Sequence, residues 1–263
     1  MRLNRRFFFF AAFFAHLAAA WADIRETVVE YPSGGETCEG LHIVDAAKTG
    51  KLPSVLVIHQ WTGVSAHEKE RAHQLAEMGY NVFVADVYGK GVRPQPPEAG
   101  KEAGKYRSDR KLFRERLLAA LEQLRATPQA DPAQIAAIGY CFGGTAVMEL
   151  ARSGAMVKGV VSFHGGLDSP TPADGKNIKG KVLALHGAED PFVPAANLAA
   201  WESEMKEAAV DYKLVQYPGA VHSFTLKSAG YDNNAGAAYN EAADKASWDE
   251  MRQFFDRIFK NPG

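Results

Sequence analysis

The segment Gly-x-Cys-x-Gly at residues 139–143 can be accommodated by few backbone geometries. An apolar run at residues 134–138 precedes it and is typical of a buried strand, and residues 145–152 favour a helix. A strand that turns at once into a helix strains the backbone of its apex residue, and glycines on either side let the flanking chain pass close by. The pattern therefore predicts a sharp strand–helix turn with Cys141 at its apex.

The side chain of Cys141 is predicted to point out of the sheet, at the N-terminal end of the following helix. The positive end of a helix dipole favours the thiolate, which is the reactive form of cysteine. Two other interpretations stay open on the pattern alone, because cysteine is often simply buried and glycine-rich strand–helix turns also bind phosphate.

Strands and helices alternate along most of the chain, which predicts an α/β fold with a mostly parallel central sheet and helices on both faces. Two β-rich segments at residues 24–31 and 37–44 flank the turn residues 32–35 and predict an N-terminal antiparallel hairpin. The remaining predicted strands are residues 54–59, 82–86, 157–163, 181–186 and 212–217.

Four helices besides the one after Cys141 are predicted from apolar residues at helical spacing. The first begins with a capping box formed by Ser65 and Glu68 and ends at Gly79, and the others cover residues 108–124, 195–209 and 241–259. Residues 88–105 contain four glycines and three prolines and are predicted to form a long loop, either a lid or a binding loop.

The N-terminal residues 1–22 have the pattern of a signal peptide. Three arginines at positions 2, 5 and 6 precede an apolar stretch, and residues 20–22 (Ala-Trp-Ala) form a cleavage site. The apolar stretch is too short to span a bilayer comfortably, so stable membrane insertion after cleavage is not expected. We predict export to a bacterial periplasm, by a general or a twin-arginine route, and a single mature domain at residues 23–263.

Composition excludes one class of partner and raises one question. The formal net charge of -1 provides no basic field for nucleic acid. The chain has two cysteines, Cys38 and Cys141, and in an exported protein such a pair could form a disulfide. A domain of this size does not need that crosslink, and the disulfide would abolish the nucleophile.

In a parallel α/β sheet the active site lies beyond the carboxyl ends of the strands. Asp190 follows the predicted strand 181–186, and His222 follows the last strand, 212–217. With Cys141 this gives the order nucleophile, acid, histidine, which is the order of α/β-hydrolases. His222 would exchange protons with the thiol and the leaving group, while Asp190 orients its imidazole. Glu189 is a rival for the role of the acid.

The same logic predicts an oxyanion hole. Its donors would be the backbone N–H of Phe142, directly after the nucleophile, and one from the loop after an early central strand, where Trp61 is the best candidate. A cysteine nucleophile gives a thioester acyl-enzyme, so esters, lactones or thioesters are expected as small-molecule substrates in preference to amides.

These motifs together resemble the dienelactone hydrolase family, over essentially the whole predicted mature chain. The matching stretches are residues 57–63, 85–89, 139–144, 187–194 and 222–224. The resemblance implies an α/β-hydrolase fold, usually monomeric, without metal or cofactor, and it assigns the triad to Cys141, Asp190 and His222.

The sequence departs from the family pattern at three positions that bear on the substrate. The family's type enzyme has a glutamate where Gln60 stands, and that glutamate takes part in activating the thiol. The family's arginines that hold a substrate carboxylate correspond to Lys90 and Leu226. Lys90 keeps the charge without the bidentate geometry, and Leu226 keeps neither. Gln60 and Lys90 remain the predicted substrate-binding residues, but a dienelactone carboxylate is not the expected substrate.

Three alternatives compete with a hydrolase. One is a non-catalytic thiol or binding protein in which Cys141 pairs with Cys38, which the lack of a Cys-x-x-Cys motif disfavours. Another is a metal site formed by His59, His164 and His186 near strand ends, which no ligand spacing supports. A third is an α/β-hydrolase fold without activity, because fold does not dictate function.

Overall fold

The computed structural model describes residues 22–260. Most of the predicted signal peptide, residues 1–21, lies outside the described residues. The described chain forms an eight-stranded sheet in the order β1-β2-β4-β3-β5-β6-β7-β8. The strands are β1 Ile24–Ser33, β2 Glu36–Asp45, β3 Leu52–Ile58, β4 Asn81–Ala85, β5 Ala130–Tyr140, β6 Gly159–Phe163, β7 Lys181–Gly187 and β8 Tyr212–Tyr217.

The sheet is antiparallel at one edge and parallel elsewhere. Strand β1 pairs with β2 as an antiparallel hairpin, and β2 pairs antiparallel with β4. All pairings from β4 through β3, β5, β6 and β7 to β8 are parallel. The predicted α/β-hydrolase architecture with its N-terminal hairpin is confirmed.

In the described part of the chain, six α-helices cover the two faces of the sheet. They are α1 Ala66–Glu77, α2 Glu98–Ser108, α3 Arg110–Ala126, α4 Phe142–Arg152, α5 Ala195–Glu207 and α6 Glu241–Phe255. Apolar side chains of α1 and α6 belong to one core cluster, and those of α2 to α5 belong to the other. Strands β4 and β6 are buried throughout, as strands covered on both faces must be. Within residues 22–260, no helix combines the length and hydrophobicity that crossing a membrane requires.

The predicted ends of helix α1 are confirmed. Ser65 and Glu68 form the reciprocal capping box at its start, and Gly79 follows its C-cap with a φ of 93°. The end of α6 is less regular than predicted, because a π-turn at Asp256–Lys260 follows it. Trp248 on α6 is only half-buried, with the Arg71 guanidinium 5.1 Å from its ring centroid.

The prediction of a long loop at residues 88–105 is wrong in part, because α2 begins at Glu98. Prolines and glycines concealed this helix, which has no side-chain cap at its N-terminus. Ala99, Ala103 and Tyr106 form its buried face. Tertiary packing therefore stabilises a helix that its own sequence favours weakly.

Helix α4 is buried along its whole length, including two charged residues. Arg152 makes hydrogen bonds of 2.8 and 2.7 Å to the two carboxylate oxygens of Glu204 on α5, and one of 3.1 Å to Glu149. Glu149 also accepts a 2.9 Å hydrogen bond from Arg114 on α3. These ion pairs fix the helix behind Cys141 to both of its neighbours, because a buried charge is tolerated only when it is paired.

We expect Glu204→Gln to lower the free energy of unfolding by about 2 kcal/mol, because it replaces the carboxylate that accepts two hydrogen bonds from the buried Arg152 guanidinium and leaves Glu149, which Arg114 also contacts, as its counter-charge. The measurement is equilibrium denaturation. Glu122→Gln is the control, because its ion pair with Arg125 lies on the surface and should contribute less than about 1 kcal/mol. An equal loss of stability in both variants would contradict this prediction, because the buried ion pair would then contribute no more than the surface pair.

Candidate active site

Three side chains meet beyond the carboxyl ends of the parallel strands. Cys141 directly follows β5, Asp190 follows β7, and His222 follows β8. The His222 Nε2 lies 3.1 Å from the Cys141 Sγ, and the His222 Nδ1 lies 2.8 Å from the Asp190 Oδ2. The sequence placed these residues at separate strand ends, and the fold connects them through hydrogen bonds.

The turn that carries Cys141 is strained and tightly packed. Cys141 has a φ of 54° and a ψ of -111°, a conformation that residues with a side chain rarely adopt. A Cβ at Gly139 would overlap the Gly143 carbonyl, and one at Gly143 would overlap the Ile58 carbonyl. Both glycines are therefore required sterically, because backbone from three segments converges beneath the thiol.

The electrostatics favour a thiolate–imidazolium pair. Burial alone would raise the pKa of the Cys141 thiol, but the hydrogen bond and charge of His222, the charge of Arg107 and the Phe142 N–H together lower it below its ordinary value. Burial alone would lower the pKa of His222, but its hydrogen bonds to Asp190 and Cys141 raise it. Each partner thus stabilises the charged form of the other.

Asp190, and not Glu189, is the acid that contacts the histidine. The Asp190 side chain is buried, and its second oxygen accepts a 2.8 Å hydrogen bond from the Phe192 N–H. The Glu189 carboxylate instead accepts a 3.0 Å bond from the Gly219 N–H, at the exposed start of the following loop. Two partners hold the Asp190 carboxylate in the orientation that its bond to His222 requires.

Backbone contacts on both sides fix the loop that carries His222. The His222 N–H donates to the Gly236 carbonyl at 3.2 Å, and the Ala238 N–H donates to the His222 carbonyl at 3.0 Å. Ser223 adopts a φ of 55° directly afterwards. The imidazole is therefore presented by an ordered turn, although no helix or strand contains it.

Both predicted oxyanion donors lie at this site. The Phe142 N–H is at the first position of α4 and donates toward the Cys141 sulfur. Trp61 lines the same cavity as Cys141, and its carbonyl accepts a 3.0 Å hydrogen bond from the Tyr88 hydroxyl. Within residues 22–260, no backbone carbonyl accepts a hydrogen bond from the Trp61 N–H.

A cavity of about 760 Å³ opens over the thiol and is lined mostly by apolar surface. Helix α2 forms one of its walls, and the exposed Phe192 lies against His222 with its ring perpendicular and the centroids 5.4 Å apart. The lining residues are Trp61, Gly100, Ala103, Gly104, Arg107, Ser108, Arg110, Cys141, Thr145, Gly166, Asp168, Phe192, Val193, His222, Ser223 and Ala237.

The predicted substrate-binding residues do not line this cavity. The Lys90 ammonium is exposed and pairs with Glu30 on β1, so its predicted role at the site is not supported. Gln60 is buried, and its backbone bonds to Glu68 and His59. Leu226 lines a separate surface depression beside α1 and α6.

Two residues lie beside the thiol without having been predicted there: Arg107, which was not singled out, and His164, which was considered only as a metal ligand. Arg107 on α2 lines the cavity, with its guanidinium 6.0 Å from the Phe142 ring centroid. Only a correct assignment of α2 could have placed it there. The buried His164 accepts a 3.2 Å hydrogen bond from the Cys141 N–H at Nδ1 and donates from Nε2 to the Thr225 hydroxyl at 2.9 Å. Its position directly after β6 was the available signal.

The residues of the alternative predictions have other partners. Cys38 is a buried free thiol 3.4 Å from an Arg116 nitrogen, and Cys141 is free as well. Burial raises the pKa of Cys38, so its thiolate is disfavoured. His59 bonds to the backbone of Gln60 and Val87. Among residues 22–260, no group of three or more possible ligands is arranged to hold a metal ion.

We expect iodoacetamide to label Cys141 with a pH midpoint below that of an ordinary thiol, and Arg107→Gln to raise this midpoint by less than about one unit. The shift follows from the loss of a positive charge that stabilises the thiolate. Lys101→Gln, an exposed change on the same helix, is the control. A wild-type midpoint above pH 8, or equal shifts in both variants, would contradict this account.

The family model for the dienelactone hydrolase family matches residues 39–259. The chain is 27% identical over 253 residues to a Synechocystis sp. protein named "Putative carboxymethylenebutenolidase", covering 90% of this chain and 99% of that protein. A Bradyrhizobium sp. protein named "Probable 2-oxo-3-(5-oxofuran-2-ylidene)propanoate lactonase" is 26% identical, covering 76% of this chain and 82% of the relative.

Two solved structures are similar in fold and sequence. The protein m3DLH is 37% identical, with a TM-score of 0.87, covering 90% of this chain and 99% of that one. A dienelactone hydrolase-like promiscuous phosphotriesterase from metagenomic libraries is 36% identical, with the same TM-score and coverage. With the family match spanning most of the described residues, the chain belongs to the dienelactone hydrolase family.

Proposed function

We propose that the protein is a hydrolase that cleaves a small ester, lactone or thioester, with Cys141 as nucleophile, His222 as proton carrier and Asp190 as the acid that orients it. The observation that carries this proposal is the hydrogen-bonded series Asp190, His222, Cys141, with contacts of 2.8 and 3.1 Å at the floor of the cavity. The family's name and those of the relatives support hydrolysis as the reaction class.

In the first half of the reaction the Cys141 thiolate attacks the substrate carbonyl. The new C–S bond moves the carbonyl electron pair onto oxygen, where the N–H groups of Phe142 and Trp61 stabilise the negative charge. When the tetrahedral intermediate collapses, the C–O bond of an ester, or the C–S bond of a thioester, breaks. The His222 imidazolium gives its Nε2 proton to the leaving group, and a thioester acyl-enzyme remains.

In the second half water replaces the leaving group. Neutral His222 takes a proton from the water, whose oxygen attacks the thioester carbonyl, and the collapsing intermediate expels the Cys141 thiolate. The product acid departs and the thiolate–imidazolium pair forms again. Asp190 keeps the His222 Nδ1 proton in place, so that Nε2 faces the reacting atoms in both halves.

The resting charge pair compensates for the glutamine at position 60. A glutamine side chain cannot accept a proton to become neutral, so it cannot take over the role of the glutamate in the type enzyme. With the pKa of Cys141 lowered and that of His222 raised, the nucleophile is already deprotonated before a substrate arrives. We therefore propose that His222 takes the thiol proton without help from the side chain at position 60.

We expect Cys141→Ala to abolish hydrolysis of a panel of p-nitrophenyl esters, thioesters and lactones, because Cys141 is the cavity-lining side chain that is hydrogen-bonded to the His222 Nε2. A phosphotriester joins the panel because a relative with 36% identity carries that activity in its name. Mass spectrometry of quenched wild-type enzyme should find the acyl group on Cys141.

His73→Gln serves as the control, because His73 lies on the exposed side of α1 and pairs with Glu26. Full activity in Cys141→Ala would reject the mechanism. A wild-type protein that cleaves nothing in the panel and forms no acyl-enzyme would favour the non-catalytic alternative.

We also propose that residues 1–22 direct export and are removed, so that the protein acts in a bacterial periplasm, as a monomer. The basic start, short apolar stretch and Ala-Trp-Ala site support this proposal. We expect N-terminal sequencing of protein from a periplasmic fraction to begin at Asp23. A chain that keeps its first residues and stays with the membrane would overturn the proposal of cleavage.

A further inference from the structure

Helix α2 presents glycines to the cavity above Cys141. Gly100, Gly104 and Arg107 are spaced by four and three residues, and all three line the cavity. A Cβ at Gly104 would meet no atom within 4 Å, and one at Gly100 would meet only the Trp61 ring, at 3.9 Å. Neither glycine has a positive φ. Backbone conformation and close packing therefore do not explain why these positions are glycine.

These glycines weaken a helix that has little other support. Glycine is among the least favourable residues within a helix, and alanine the most favourable. Helix α2 has eleven residues, two glycines and no side-chain cap at its start. Because they have no side chains, the glycines leave space in the cavity. This space is on the side where the aromatic ring of Trp61 supplies an apolar surface.

A second observation indicates that a ligand contacts this cavity. Thr145 is only 2% exposed and lines the cavity, and its hydroxyl has no hydrogen-bond partner within residues 22–260. A buried hydroxyl without a partner is unfavourable. The hydroxyl oxygen is shielded from solvent in this structure, so its side chain must turn about χ1 to reach an acceptor in the cavity. Thr145 is on α4, one helical turn beyond Cys141, so such an acceptor would lie close to a group bound at the thiol.

We propose that two sides of the cavity set substrate choice. On α2, Gly100 and Gly104 leave room for a ring-sized apolar group; on α4, the Thr145 hydroxyl turns toward the bound substrate and donates a hydrogen bond to an oxygen atom between that ring and the scissile carbonyl. The proposal rests on the hydrolytic function of Cys141. It adds the class of substrate, an ester or thioester whose acyl part carries an aromatic or alicyclic ring with an acceptor oxygen beside it.

The test of the space uses Gly104→Ala and Gly104→Leu with two neutral thiol reagents, N-methylmaleimide and N-phenylmaleimide. Labelling of Cys141 is followed by peptide mass spectrometry. We expect Gly104→Leu to lower the ratio of phenyl to methyl rates by about tenfold and Gly104→Ala to lower it less. Both variants should raise the melting temperature, by about 3 °C, because each removes a helical glycine.

Lys101→Leu is the control, because it adds the same side chain to α2 on the exposed side. It should leave the ratio of labelling rates unchanged. A ratio within twofold of wild type in Gly104→Leu, with the protein folded, would overturn the proposal. Since labelling needs no turnover, this result is independent of whether the protein hydrolyses esters.

The test of the hydroxyl uses Thr145→Val and a matched pair of esters. In p-nitrophenyl phenoxyacetate an ether oxygen takes the place of one CH2 group of p-nitrophenyl 3-phenylpropionate. We expect Thr145→Val to lower the ratio of their kcat/KM values, phenoxyacetate over phenylpropionate, by about fivefold. Its melting temperature should not fall, because the lost hydroxyl had no partner. An unchanged ratio would refute the role of Thr145.

Discussion

The charge pair between Cys141 and His222 is the interaction on which the candidate active site depends. A thiolate and an imidazolium 3.1 Å apart at a buried site need each other, because burial penalises each charge alone. Asp190 supports the cation and the first N–H of α4 supports the anion. These four groups come from three chain segments, which follow β5, β7 and β8, and a parallel sheet brings the ends of those strands to one edge.

The surrounding fold holds Cys141 in a conformation that it would not adopt alone. The positive φ of Cys141 costs free energy, and structures keep such strain only where neighbouring contacts leave no alternative. Here Gly139 and Gly143 let β5, β3 and α4 approach within contact distance. The ion pairs that Arg152 forms with Glu149 and Glu204 fix α4 in place. Buried contacts in both the sheet and the helix layer therefore maintain the strained conformation of Cys141.

The sequence predicted the parts of the site that depend on backbone geometry. The rules of parallel sheets account for Gly-x-Cys-x-Gly between a strand and a helix. They also account for an acid and a histidine after later strands. It failed where packing overrides local preference, as in α2, whose glycines and prolines indicated a loop. The prediction for Lys90 failed as well. Its match to a family arginine could not reveal that the Lys90 ammonium pairs with Glu30 on the hairpin. Arg107 was not predicted at the site because it lies on α2, and that helix was not predicted.

Helix α2 forms the cavity wall that the sequence predicted least well. It is also the wall that can change without displacing Cys141, Asp190 or His222. Cys141, Asp190 and His222 lie on strand ends and turns fixed by main-chain hydrogen bonds, so a change there disturbs the chemistry. Helix α2 packs through three buried side chains and otherwise faces the cavity or solvent. Its cavity face can therefore change in size or charge while the nucleophile stays in place. In the proposed hydrolase, chemistry and selectivity would thus be carried by different elements, an arrangement that suits one mechanism to many acyl groups.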